Sequence, residues 1–232
     1  MFLINLFLLF ITTTAFSLPN DVKICRFDDH DCLLASANYV LKHFSNGNPD
    51  LALEPIDPLN IDAMTVDQNS GPVKILVKLN NFDILGFSGA EIYKLSGFEN
   101  DLIDLHMKLP FATLAGPYNI NGDILILPVN GVGKMRLHFK NFDIKMKLPV
   151  VKEIRDGNFF MKIENPEMTF DITGGDVSFS HLGSFANGFL NSNFNRIISL
   201  IKPAISKSLV EKLTHRINSV FSTMSYNELF AA

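Results

Sequence analysis

The sequence predicts an α+β protein in which a long, strongly curved antiparallel sheet wraps one long C-terminal helix. Two changes of period carry this reading. Through the middle of the chain apolar residues fall at every second position, as in Val73, Ile75, Val77, Leu79 and again in Ile103, Leu105, Met107, Leu109. That is the period of half-buried strands. From about Ser184 the period becomes threes and fours: Phe185, Phe189, Phe194, Ile197, Ile201 and Ile205, then Leu209, Leu213, Ile217 and Phe221. One helical face is thus sustained over more than thirty residues, roughly 50 Å at about 1.5 Å per residue. A small compact sheet does not bury so long a helix; a long sheet curved around it does.

The chain opens on an apolar run, Phe2 to Phe10, followed by small residues and Ala15-Phe16-Ser17. This suits a secretory signal of residues 1–17 cleaved before Leu18. The alternative, a membrane anchor, asks for a longer run. Residues 18–232 are then expected to form a single secreted, extracellular domain, with no stable membrane insertion. The formal net charge is −4. No global basic field exists to attract nucleic acid or an anionic membrane. Hydrophobic residues make up 47%, with 21 Phe and no Trp, so a large interior has to absorb them.

Cys25 and Cys32 are expected to pair in an oxidising compartment. The spacing does not suit a zinc site, and no metal is expected. The short loop limits the entropic gain to about 2.5 kcal/mol, so the bridge is read as a staple on the N-terminal segment. Asp31 to Phe44 reads as a helix capped by Asp29 or Asp31, with Leu33, Ala37, Val40 and Leu41 on one face. Pro55 and Pro58 then hold the chain extended.

The strand region carries turn residues between its alternating runs: Asn80-Asn81, Gly116-Pro117, Asn130-Gly131, Asp156-Gly157, Asn165-Pro166 and Gly174-Gly175. Hairpin-length links imply an antiparallel meander. Tyr118 to Phe142 reads as strand, Gly-rich turn (Gly131-Val132-Gly133) and strand. Asn-Phe-Asp-Ile occurs at 81–84 and at 141–144, read as similar strand ends. Lys74, Lys78, Lys108, Lys140, Lys145 and Lys147 form a stripe on the opposite face. The stripe is the wet side of the sheet or a contact for an anionic surface. In the C-terminal helix Pro203 predicts a kink.

Catalytic motifs are weak. Gly86-Phe87-Ser88-Gly89-Ala90 approaches a nucleophile elbow but ends in Ala, and the six His are scattered. No enzyme activity and no cofactor are expected.

Four motifs in order resemble one family. They are the Cys25/Cys32 pair, Pro55-Ile56-Asp57-Pro58, the spacing Y-x-x-x-G-x-x-L-x-L-P-x-x-G-x-G from Tyr118 to Gly133, and Phe189-Leu190-Asn191-Ser192-Asn193-Phe194 leading to Lys202-Pro203-Ala204-Ile205. Together they resemble the Takeout and haemolymph juvenile-hormone-binding proteins of insects, within the tubular lipid-binding superfamily. The departures are Phe194, where the family commonly has Trp, and the stretch from Ser184 to Gly188.

The resemblance implies a super-roll with an internal apolar tunnel. It also implies a carrier of a small hydrophobic ligand: a juvenile-hormone-like terpenoid, a fatty acid or another lipid. The alternative is a secreted interaction factor of the same fold, with an unknown protein receptor and no small ligand. Inward-facing strand positions expected to line the tunnel are Leu105, Met107, Ile124, Leu137, Phe139 and Phe170. The helix adds Ile201, Ile205 and Leu209, and Tyr118 offers a hydroxyl.

Overall fold

The computed structural model describes residues 18–231; the expected signal segment, 1–17, lies outside them. In chain order the elements begin with β1 (Cys25–Arg26), α1 (His30–His43), β2 (Leu59–Gln68), β3 (Val73–Leu85) and β4 (Glu91–Ser96). Next come β5 (Leu102–Ile124), β6 (Leu127–Arg155), β7 (Asn158–Ile163), β8 (Glu167–Asp171) and β9 (Gly174–Phe179). The chain closes with α2 (Gly183–Ser192), α3 (Phe194–Thr223), α4 (Tyr226–Leu229) and β10 (Phe230–Ala231).

An eight-stranded antiparallel sheet is built on one very long hairpin, β5–β6, paired from Leu102↔Pro149 to Ile124↔Leu127. Strands β3 and β2 extend it on one side, β7, β8 and β9 on the other, and β4 pairs with β5. Helix α3 packs against β2 and also against β7, β8 and β9. Both margins of the sheet therefore meet the same helix, which requires the sheet to curl around it. The expected α+β fold, a curved sheet around a long helix, is what the chain adopts.

Strand boundaries differ from the sequence reading in an instructive way. The β5–β6 turn falls at Leu125-Ile126, and Asn130 to Gly133 lie inside β6, where Gly131 faces Ile120 and Gly133 faces Tyr118. These glycines serve close approach rather than a turn. A Cβ on Gly133 would sit 2.4 Å from Ser180 Oγ, and one on Gly131 2.9 Å from Leu182 Cδ2. Gly116-Pro117 is likewise inside β5, since a Cβ on Gly116 would meet Phe82 Cβ at 2.4 Å.

The repeated Asn-Phe-Asp-Ile is not a strand end. Asn81 and Asn141 both adopt positive φ in mid-strand, 47° and 49°, followed by the fully buried Phe82 and Phe142. The register of β3 on β5 shifts between Leu79 and Asp83, and opposite Asn141 the β5–β6 ladder skips Pro110. Such interruptions bend strands and help the sheet curl.

The C-terminal helix is also divided differently. It breaks at Asn193, whose Nδ2 donates to Phe189 O at 2.9 Å, and α3 then runs through Pro203 without interruption.

Four asparagines fasten helices to strand edges. Each amide both accepts from the N–H and donates to the C=O of one residue: Asn38 on Ile92 of β4, Asn187 on Phe179 and Asn191 on Val177 of β9, and Asn218 on Ile163 of β7. Distances run from 2.7 to 3.0 Å. Each strand pairs with a single neighbour, so its outer groups would otherwise lack partners in the ladder.

Candidate ligand chamber

Among the described residues, apolar space lies at successive levels along α3. At the N-terminal level a cavity of about 80 Å³ lies among Ile124, Leu137, Phe194, Ile198, Ile201 and Ile205. At the middle level a gap of only about 10 Å³ is bounded by Phe139, Phe142, Ile205 and Leu209, which is about the least that holds one water. At the C-terminal level a chamber of about 320 Å³ opens between α3, α1 and the sheet. Its volume falls in the range of ligand sites, about 300–1,000 Å³.

Each wall of the chamber follows from the local sequence. From α3 come Leu213, Ile217, Val220 and Phe221, one helical face. Helix α1 contributes Leu33, Ala37, Val40 and Leu41. Asp29 caps α1 by accepting from Cys32 N at 3.0 Å, and Asn38 ties the helix to β4. Leu105 and Met107 of β5 with Met146 and Leu148 of β6 form the floor. The rim is aromatic: Phe98 and Phe230 pack edge to face with centroids 5.5 Å apart. Phe230 is held there because β10 pairs in parallel with β1, which the Cys25–Cys32 disulfide ties to α1. The expected cysteine pair is formed, with Cα atoms 5.7 Å apart.

The wall is almost wholly apolar. Its polar side chains are Lys23, Ser36 and Arg216. Ser36 donates its proton to Lys23 O at 2.6 Å. Arg216 pairs with Glu54 and donates from Nε to Pro55 O at 3.4 Å.

The residues expected to line one tunnel are distributed over separate places. Leu105 and Met107 face the large chamber. Ile124, Leu137 and Ile201 face the small cavity, as does Ile205, which also reaches the middle gap beside Phe139 and Leu209. Phe170 lines none of these spaces. It is packed on Phe142 and Phe139, with centroids 4.9 and 6.1 Å away. Tyr118 lines none of them either. Its hydroxyl donates to Ser180 O at 2.5 Å and its ring meets Phe179 edge-on; burial pushes its pKa up. The aromatic cluster at the middle level divides the interior.

The sequence reading missed α1 and Arg216 as walls. The signal was available, because α1 has its own apolar face and a curved sheet already occupied by α3 leaves that face only the open end to cover. At the near-elbow, Ser88 donates its hydroxyl to Asp57, which also accepts from Ser88 N at 2.7 Å and Gly86 N at 3.1 Å. The serine is a turn-stabilising group there. Among the described residues no helix is long and apolar enough to cross a membrane, and no three His, Cys, Asp or Glu are grouped to hold a metal.

A half-barrel sheet rolled on a long helix, with an apolar chamber opening at one end, defines the class of fold. The chain belongs to the haemolymph juvenile hormone binding protein (JHBP) family, whose sequence model matches residues 4–231. It is 23% identical over 230 residues to the circadian clock-controlled protein daywake of Drosophila melanogaster, covering 91% of this chain and 88% of that protein. The Drosophila yakuba daywake protein is 22% identical over 232 residues, covering 92% and 88%. The crystal structure of Epiphyas postvittana Takeout 1 superposes with a TM-score of 0.81 at 23% identity, covering 91% of this chain and all of that one. It shares the fold.

Proposed function

We propose that the chain is a secreted carrier that encloses one small hydrophobic ligand, a juvenile-hormone-like terpenoid, a fatty acid or another lipid, in the chamber at the α1 end. The observation that carries this reading is the chamber itself: about 320 Å³ of space walled by aliphatic side chains and a Phe rim. Empty apolar space forfeits dispersion contacts, and a ligand restores them. A ligand burying about 400 Å² of apolar surface gains about 10 kcal/mol gross at ~25 cal/mol/Å². After the cost of association this supports micromolar to nanomolar binding. The family description, juvenile hormone binding in haemolymph, supports both the ligand class and secretion. The Cys25–Cys32 bridge supports an oxidising destination. Residues 18–232 act as one domain, and no catalytic step is assigned to it.

Native mass spectrometry of the chain secreted from insect cells tests the reading. The expected species starts at Leu18 and carries one co-purifying lipid or takes up one fluorescent fatty acid. A protein that stays empty and takes up no apolar probe would overturn it, in favour of an interaction factor.

A further inference from the structure

Of the chamber's three polar lining side chains, Lys23, Ser36 and Arg216, the last has donors to spare. Arg216 stands on the α3 wall between Leu213 and Ile217, and its side chain is 14% exposed. Its recorded partners are Glu54 at Nη1 and Pro55 O at Nε. A guanidinium carries five N–H donors, more than these two contacts use. Leu53 and Ile56, on either side of those partners, also line the chamber, which places Arg216 where the chamber wall meets the exposed carbonyl of Pro55. The other polar lining groups offer less. Ser36 has spent its proton on Lys23 O, and the Lys23 side chain is exposed.

We infer that Arg216 is the head-group anchor of the chamber, selecting an apolar chain that ends in an oxygen acceptor, a carbonyl or carboxylate, over a plain hydrocarbon. This rests on the carrier reading of the same site and adds an orientation: the acceptor lies against segment 53–56 and the chain runs along α3 toward Phe98 and Phe230. Glu54 is half exposed and offsets the charge of Arg216. An uncharged acceptor therefore gains a charge-assisted hydrogen bond without adding a net charge. A carboxylate competes with Glu54 for the same donors.

The test is displacement of a bound fluorescent naphthylamine by dodecanoic acid, methyl dodecanoate and dodecane, using wild type, Arg216→Met and Glu54→Gln. Wild type is expected to bind the acid and the ester about tenfold more tightly than the alkane, a preference that Arg216→Met loses while alkane binding stays. Glu54→Gln keeps the fold, since Glu54 is half exposed, and releases donors. It is expected to tighten acid binding several-fold and ester binding less. Should Arg216→Met fail to fold, Glu54→Gln decides alone. Equal binding of all three probes by wild type, or acid affinity unmoved in Glu54→Gln, overturns the anchor and leaves the carrier standing. No displacement by any probe removes both.

Discussion

Both halves of the interior are lined by apolar side chains, yet one keeps only a cavity of about 80 Å³ and a gap of about 10 Å³ while the other keeps about 320 Å³. Beside the first half of α3, Phe139, Phe142, Phe170 and Phe194 pack on one another with centroids 4.9 to 6.1 Å apart. Asn187 and Asn191 draw the helical segment down onto β9. Beside the second half, α1 is pinned outward, by Asn38 to β4 and by the disulfide to β1. The Leu, Val and Ala side chains of the α1 wall leave the chamber open between them and the sheet, and Phe98 and Phe230 pack against each other. The hollow is therefore a property of where the backbone is fastened, more than of which apolar residues face it.

The strongest test removes a filled-half ring. Phe139 is fully buried, and Phe139→Ala is expected to cost about 3–5 kcal/mol in urea unfolding, because a closed cavity is left behind. Leu105→Ala in the chamber floor is expected near the lower limit for such changes, about 2 kcal/mol, since space already adjoins it. Equal losses would break the contrast between the halves.

Next in size are the asparagine fasteners. Asn191→Ala and Asn38→Ala each remove three hydrogen bonds, one of them within the helix, and leave an N–H and a C=O of an edge strand unpaired. Each is expected to cost about 2 kcal/mol. Their consequences should diverge. Hydrogen exchange in α1 is expected to quicken with Asn38→Ala and not with Asn191→Ala, and only the former should speed ligand release. Identical exchange in the two variants would mean that the anchor sites do not set the roof.

These fasteners mark the boundary of what was legible in the sequence. Alternation gave the strands, and threes and fours gave the helix, because burial imposes those periods directly. The curl followed from helix length. Mid-strand Asn81 read as a turn residue and Asn141 as part of a strand end, because the same positive φ serves a turn and a bulge. Gly116, Gly131 and Gly133 misled for a related reason, since a glycine needed for close approach looks the same as one needed for a turn. Inward-facing residues were identified, but facing inward did not separate Phe170, which fills space, from Leu105, which borders it. That distinction depends on distances between elements, and asparagines at 38, 187, 191 and 218 set those distances without any period of their own.

Smaller effects are expected from filling the hollow. Leu213→Phe puts a ring into the chamber and is expected to weaken a fluorescent fatty acid about tenfold, or ~1.4 kcal/mol, with thermal stability unchanged or raised. Ile144 is fully buried, and Ile144→Phe at that packed position is expected to cost about 1–3 kcal/mol by overpacking. If Leu213→Phe destabilises as much as Ile144→Phe, the chamber collapses in solution and the halves are alike.

The smallest effect sharpens the comparison through pH. Glu228 caps α4 by accepting from Ser225 Oγ at 2.6 Å and Ser225 N at 2.7 Å. The side-chain bond from Ser225, then the backbone bond, hold its carboxyl below the ordinary 4.5. In the other half Asp171 is lowered chiefly by its bond from Lys202, which ties β8 to α3. Both carboxyls titrate lower in the folded protein. The stability each lends is fully present above its unfolded pKa and is lost as pH falls through the folded one. Their readouts differ because α4 carries Phe230 to the chamber rim and Asp171 borders no chamber wall. Acidification below about 4.5 is thus expected to speed release of a bound probe. Glu228→Gln should remove that acid step by making release fast at neutral pH already, whereas Asp171→Asn should shift only the acid unfolding midpoint. A release profile that follows Asp171 and ignores Glu228 would place the weak point in the more tightly filled half, opposite to the chamber that Phe230 lines.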